Sequence, residues 1–258
     1  MGWVEAVAIL AAGIGAGTIN AVVGSGTLIT FPTLLAVGFP PVVANISNNI
    51  GLVPGGVSAT WGYRRELSGQ RRRLVMLAPM SLVGAVTGAI LLLALPADAF
   101  VTIVPVLLAI SLVLVVVQPR MQRAVQRRRE RRGTDSDGAG HRLLVLVGVY
   151  LAGVYGGYFG AAQGVLLVGL LGALLPETLQ RVNAAKNLLS LVVNFTAALT
   201  FSLVAFDLID WRVVGLIAVG STIGGLLGAK VGRRLPDWLL RAVIVVVGTV
   251  AIWSILTS

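Results

Sequence analysis

The chain has 258 residues, of which 57% are hydrophobic, 12% are charged and 32 are glycine, and its formal net charge is +10. A water-soluble domain of this size carries about 25% charged residues, and half that supply cannot wet its surface. A soluble globular fold is therefore excluded, and the lack of cysteine removes disulfides, zinc-thiolate sites and thiol chemistry.

The uncharged runs are long. Ala6 to Tyr63 covers 58 residues without Asp, Glu, Lys or Arg, and Leu143 to Pro176 covers another 34. A bilayer core of about 30 Å takes about 20 apolar residues per helix, so the chain reads as a polytopic helical membrane protein. The 58-residue run corresponds to about 87 Å of helix. It is divided by Gly24-Ser25-Gly26-Thr27 and by Gly38-Phe39-Pro40-Pro41. Segments are expected at 3–22, 26–37, 43–63, 74–95 and 99–117, then at 143–159, 164–175, 183–205, 212–232 and 239–256. A secretory signal would be followed by a soluble chain, and a membrane barrel would alternate in polarity over about 10 residues; neither pattern is present.

The two sets of segments repeat one another at a spacing of 138 to 140 residues. Gly15 pairs with Gly153, Gly26 with Gly164, Asn45 with Asn183 and Asn49 with Asn187; after a slip of two, Gly84 pairs with Gly224, Gly88 with Gly228 and Pro96 with Pro236. Residues 1–117 and 143–258 thus form two membrane repeats, joined by a basic linker at 118–142. The linker holds Arg-Arg-Arg-Glu-Arg-Arg at Arg127 to Arg132, with the glycine-rich stretch 133–140 expected to be poorly ordered. Beside membrane helices such a tract marks the cytoplasmic side, with contact to anionic lipid headgroups as a secondary role; no nucleic-acid partner is expected.

Five passes per repeat is an odd number, which inverts the second half. This assignment puts 18 of the 20 basic residues on the cytoplasmic side and leaves Glu5, Asp98, Asp207, Asp210 and Arg212 outside. An eight-pass chain would strand the Lys230 to Arg241 cluster outside, against the positive-inside rule. The expected fold is all-α and polytopic, with two inverted repeats of about five membrane segments each. Eight segments are full helices, and the other two, at about 12 residues, are short broken or re-entrant pieces.

Such short pieces depend on irregular backbone, which lipid tolerates only where it is buried or lines a cavity. Secondary transporters place their sites where broken helices of two inverted repeats meet. A helix that starts after a break presents N-H groups and a positive dipole end, a natural anion site. The break glycines Gly24, Gly26, Gly160 and Gly164 serve either that purpose or close helix packing. Asn45, Asn48 and Asn49 share one helix face; Asn183, Lys186 and Asn187 share another. A lysine inside the membrane costs about 2.5 to 3.5 kcal/mol, which marks Lys186 as a functional candidate unless it snorkels to the interface. The asparagines either bind substrate or join helices by hydrogen bonds.

At these residues the sequence resembles the TauE/SafE sulfite exporters. The resemblance rests on Ile19-Asn20-Ala21-Val22-Val23-Gly24-Ser25-Gly26-Thr27-Leu28-Ile29-Thr30-Phe31-Pro32, on Pro40 through Asn49, on Gly153 to Gly164, and on Arg181-Val182-Asn183-Ala184-Ala185-Lys186-Asn187. The second break reads Gly160-Ala161-Ala162-Gln163-Gly164, where the family pattern carries more glycine. The resemblance implies a multi-pass permease of the bacterial inner membrane for a small sulfur-containing anion, such as sulfite or an organosulfonate. It aligns Gly24, Gly26, Asn45, Asn49, Gly160, Gly164, Asn183 and Lys186 with family motif positions.

The expected mechanism is alternating access around a central anion, with charge from Lys186 and hydrogen bonds from Asn45, Asn48, Asn49, Asn183 and Asn187. Ser25, Thr27 and Gln163 complete the cage. No catalytic residue, cofactor or metal is expected. The rivals are a permease or channel for another small anion and a membrane-embedded enzyme, which would need clustered His, Asp or Glu that the spans lack.

Overall fold

The computed structural model describes residues 1–131 and 139–230, with isolated helical positions at 242, 244–246 and 249. Apart from those positions, the expected segment 239–256 lies outside the described residues, as do Arg132, Arg233, Arg234, Pro236, Arg241 and most of the stretch 133–140.

Helix is the regular structure throughout the described residues. In chain order it comprises α1 (Trp3–Val22), α2 (Thr27–Ala36), α3 (Pro41–Gly62), the single turn α4 (Arg64–Leu67), α5 (Arg71–Ala94) and α6 (Ala97–Arg131). The second set is α7 (Ala139–Tyr158), α8 (Gln163–Leu174), α9 (Leu179–Val204), a short 3-10 turn at Phe206–Leu208 and α10 (Trp211–Lys230). Local chemistry sets the boundaries. Pro41 opens α3 at a position whose N-H has no intrahelical partner in any case. The Thr178 hydroxyl accepts from Arg181 N and starts α9 four residues before the apolar run. The helix α6 runs past its apolar segment to Arg131 because Gln, Arg, Met and Ala favour helix with or without lipid.

Five of these helices are long and apolar enough to cross a membrane: α1, α5, Asp98–Arg123 of α6, α9 and α10. Their outward faces carry Val75, Ile90, Val106, Val113, Phe195, Leu203 and Val219, all exposed. Small residues lie inside instead. With hydrocarbon on the outside there is little hydrophobic gain in bringing helices together, and close backbone approach does the work.

That approach fixes the helix directions. Gly13 of α1 lies on Ile217 and Gly220 of α10, Gly17 on Ser221, and Gly228 on Thr18 and Ala21, so α1 and α10 run parallel. Gly51 of α3 meets Ile217, Gly55 meets Ser221 and Gly62 meets Ala229, so α3 is parallel to both. In the same way Ser81 and Gly84 of α5 meet Gly153 of α7, and Gly88 meets Gly157, so α5 and α7 are parallel. Between these groups the direction reverses: Gly56 of α3 faces Leu191 of α9, while Tyr63 faces Asn183.

Each half therefore lends a helix to the other, α10 packing on α1 and α3, and α5 on α7 and α9. The short helices fold back on their predecessors. In the second half Gln163 lies by Gly156, Leu170 by Gly148, and the Leu174 carbonyl 2.7 Å from His141 Nε2. In the first, Gly26 lies on Ala16 and Ile29 by Gly15.

A Cβ on Gly224 would strike the Ile14 carbonyl and sit 2.8 Å from Thr18 N, whereas one on Gly215 would meet nothing within 4 Å. Overpacking costs about 1 to 3 kcal/mol even where neighbours can shift. Gly224→Val should lower the thermal unfolding midpoint in detergent or prevent recovery of a monodisperse protein, while Gly215→Ala should leave the midpoint unchanged or slightly raised.

Candidate functional site

The two helix breaks meet. Gly24 has φ +89°, a left-handed conformation that glycine adopts without penalty. Its carbonyl accepts a hydrogen bond from Gly164 N at 3.0 Å, at the start of α8. A Cβ on either glycine would lie 2.5 Å from the other's Cα. The tips of the α1-α2 and α7-α8 hairpins thus touch through bare backbone, with the aliphatic stem of Lys186 against both glycines.

Each break strands the carbonyls at the end of a helix, where the dipole contributes about half a negative charge. Side chains from the opposite half cover them. Lys186 is wholly buried, and its Nζ donates to the Asn20 carbonyl at 2.8 Å and to the Ala21 carbonyl at 3.4 Å. Asn187 and Asn183 donate to the same Ala21 carbonyl at 3.2 and 3.5 Å. In the mirror position Asn45 of α3 donates to the Tyr158 carbonyl, the last of α7, at 3.0 Å. Lys186 therefore does not snorkel. Among the described residues no carboxylate pairs with it, and the negative end of α1 balances its ammonium.

The matching position in the first half is Asn48, which stays within its own repeat. It accepts from the Thr30 hydroxyl and reaches Thr27 Oγ1 at 3.4 Å, tying α3 to α2. Gly26 N donates to Asn20 Oδ1 at 2.8 Å, closing the first break. The second is closed from α6, whose Ser111 Oγ lies 2.6 Å from Tyr155 Oη and 3.2 Å from the Ala161 carbonyl. Beside the tips lies an aromatic cluster, with Phe31 edge-on to Phe159 at 5.2 Å.

Among the described residues several buried polar atoms have no partner: Ser25 Oγ, Gln163 Nε2 and Asn183 Oδ1 beside this contact, and Asn49 Oδ1 on α3. A buried polar atom left unpaired costs about 1 to 3 kcal/mol. Ser25 and Gln163 occupy equivalent places, each next to one of the touching glycines, and both can donate. Hydroxyl and amide donors with a buried ammonium suit an oxyanion, and the two amide oxygens suit a proton or amine on it.

Of the residues singled out from sequence, Gly24, Gly164 and Lys186 come into direct contact, with Ser25, Gln163, Asn183 and Asn187 close around them. Asn45, Asn48 and Thr27 bind neighbouring helices. Gly160, at φ +78°, turns the chain out of α7. Four residues were not singled out: Asn20, Thr30, Tyr63 and Ser111. Asn20 carried a legible signal, an amide inside an uncharged run.

Away from the centre, a clasp joins the halves on the arginine-rich face. Glu177 takes hydrogen bonds from Arg73 at 2.8 Å and Arg181 at 2.5 Å. Arg181 also donates to the Ser68 carbonyl, and Gln70 to the Arg181 carbonyl, each at 3.0 Å. Burial alone would raise the Glu177 carboxyl, but its hydrogen bonds and charge contacts with Arg73 and Arg181 prevail and hold it below its ordinary value.

A helical bundle with several helices of membrane-crossing length and polar groups gathered on two broken hairpins is an arrangement that membrane transporters use. The model of the family "Sulfite exporter TauE/SafE" matches residues 9–255, and the chain belongs to this family of membrane transporters. Among its relatives, the "Probable membrane transporter protein YfcA" of Escherichia coli K12 is 28% identical over 91% of this chain and 83% of its own length. A "Probable membrane transporter protein" of Haemophilus influenzae is also 28% identical, over 91% and 88%. No solved structure matches the chain.

Ala162 holds the strained place. It stands 138 residues after Gly24 and adopts φ 59°, the left-handed region, without glycine's freedom. That conformation costs an L-residue about 1 to 2 kcal/mol. Ala162→Gly should raise stability by roughly 1 kcal/mol, read as a higher unfolding midpoint in detergent; an unchanged or lower midpoint would show that the methyl's packing outweighs the strain.

Proposed function

We propose that the chain exports a small sulfur-containing oxyanion, sulfite or an organosulfonate, by alternating access between two inverted five-segment halves in a bacterial inner membrane. The observation that carries this reading is the contact of Gly24 with Gly164 beside a buried, carboxylate-free Lys186. Inversion is supported by the antiparallel run of α3 and α9, the third helices of the two halves. The parallel run of α1 with α3 supports α2 as a returning leg between them.

In this mechanism the anion enters beside the touching tips, taking hydrogen bonds from Ser25 Oγ and Gln163 Nε2, with Asn49, Asn183 and Asn187 around it. The Lys186 ammonium, held ready by the Asn20 and Ala21 carbonyls, turns part of its charge to the substrate. Asn45, Asn48 and Thr27 hold the hairpins in register. The spans carry no Asp or Glu beyond a first turn until Glu130, at the basic end of α6, so the membrane potential is the natural driving force. A divalent anion leaving a negative interior gains about 4.6 kcal/mol per 100 mV, enough for about three decades of concentration.

Proteoliposome flux of sulfite, sulfate, thiosulfate, taurine and sulfoacetate tests the substrate class. At least one sulfite or sulfonate should be carried in preference to sulfate, at a rate set by membrane potential; dependence on a pH gradient alone would refute the potential-driven mechanism. Lys186→Ala should abolish flux in a protein that remains monodisperse, and unchanged flux would reduce Lys186 to a helix cap.

A further inference from the structure

A cavity of about 590 Å³ opens between α3, α4 and α10 on the arginine-rich face. Arg64, Arg65 and Lys230 line it against one acid, Glu66. The Arg64 guanidinium stacks on the exposed Trp61 ring at 4.9 Å and donates to the Trp61 carbonyl at 3.1 Å, which fixes a cation at the rim. Positive charges around a concave, low-dielectric wall concentrate anions.

What lies beneath this cavity gives it a use. Its wall residue Ala229 packs with Tyr63 and Ala184. Tyr63 is only 1% exposed, and its hydroxyl oxygen accepts from Asn183 Nδ2 at 3.3 Å. Asn183 reaches the same Ala21 carbonyl that holds Lys186. Behind the Ala229 wall, the Tyr63 ring thus stands between the basic cavity and the central polar cluster.

We propose that this cavity is an antechamber that collects the small oxyanion from the cytoplasm, and that Tyr63 is the inner gate between it and the central site. The inference rests on the transport reading and adds its loading step. A headgroup phosphate offers the same chemistry as a free oxyanion. The structure favours the free anion because the cavity abuts Tyr63 and the path inward, where a tethered headgroup could not follow.

The cysteine-free chain makes a direct test simple, with the full-length protein in vesicles and ethanesulfonate as the probe anion. In Leu226→Cys, at the cavity wall, an anionic thiol reagent should label about tenfold faster than its cationic counterpart at low salt. Ethanesulfonate should slow that labelling, and Arg65→Gln with Lys230→Gln should erase the preference. In Asn183→Cys, labelling from the cytoplasm should rise several-fold with Tyr63→Ala and stay low with Tyr63→Phe.

Equal rates for the two reagents would overturn the antechamber. So would protection that follows phosphatidylglycerol content and ignores ethanesulfonate, which would assign the cavity to a lipid headgroup. An Asn183→Cys signal indifferent to Tyr63→Ala would overturn the gate. Anion preference at Leu226→Cys without sulfonate flux would sink the transport reading, and with it the loading role, and leave an anion-collecting cavity; flux without that preference would sink only the antechamber.

Discussion

Every peptide group inside a bilayer must find its hydrogen-bond partner within the protein, and this chain interrupts helices where no water can help. That constraint organises the interior. Each break leaves a helix end with stranded carbonyls, and each is covered from the other half: Lys186, Asn183 and Asn187 on the end of α1, Asn45 on the end of α7. Neither break has its stranded carbonyls covered by side chains of its own half alone. The halves are thus tied together at the two breaks.

The packing has the same interlocked character. With α5 docked on α7 and α10 on α1, a helix of each half belongs structurally to the other. Such swapping gives two bodies, one of α1, α3 and α10 and one of α5, α7 and α9, joined where α3 crosses α9 and where Lys186 reaches the end of α1, while the Glu177 clasp ties α5 to α9 within the second body. The small-residue seams within each body are tight, since a Cβ would strike backbone at Gly17, Gly88, Gly157 and Gly224. Between the bodies, Gly56 faces only the side chain and Cα of Leu191. Where the hairpin tips meet, the contact is again tight, with a Cβ on Gly24 or Gly164 lying 2.5 Å from the other's Cα.

Much of this was legible in the sequence because the membrane simplifies the physics. Uncharged length gives spans, and eight of the nine expected segments that fall on described helices match their ends to within four residues, α6 being the exception. The breaks were legible from glycine, and Asn45 with Asn183 from their repeat. Pairwise geometry was not. Nothing in the residues around Lys186 says that it reaches past its own half to the end of α1, since the asparagine equivalent to it, Asn48, turns to α2 instead. The extension of α6 to Arg131 was hidden for a related reason: an apolar count ends where lipid ends, whereas helix propensity does not. Ala162 shows the limit of reading glycine alone, because here an alanine stands in a glycine conformation.

The proposed transport depends on an anion held where the two hairpin tips meet. An experimental structure of the protein with bound sulfite or sulfoacetate tests this most directly. Density for the anion within hydrogen-bond reach of Ser25 Oγ and Gln163 Nε2, with Lys186 Nζ shifted from the Asn20 carbonyl toward it, is the predicted result. An anion bound elsewhere, with the Lys186 contacts to Asn20 and Ala21 unchanged, would contradict it.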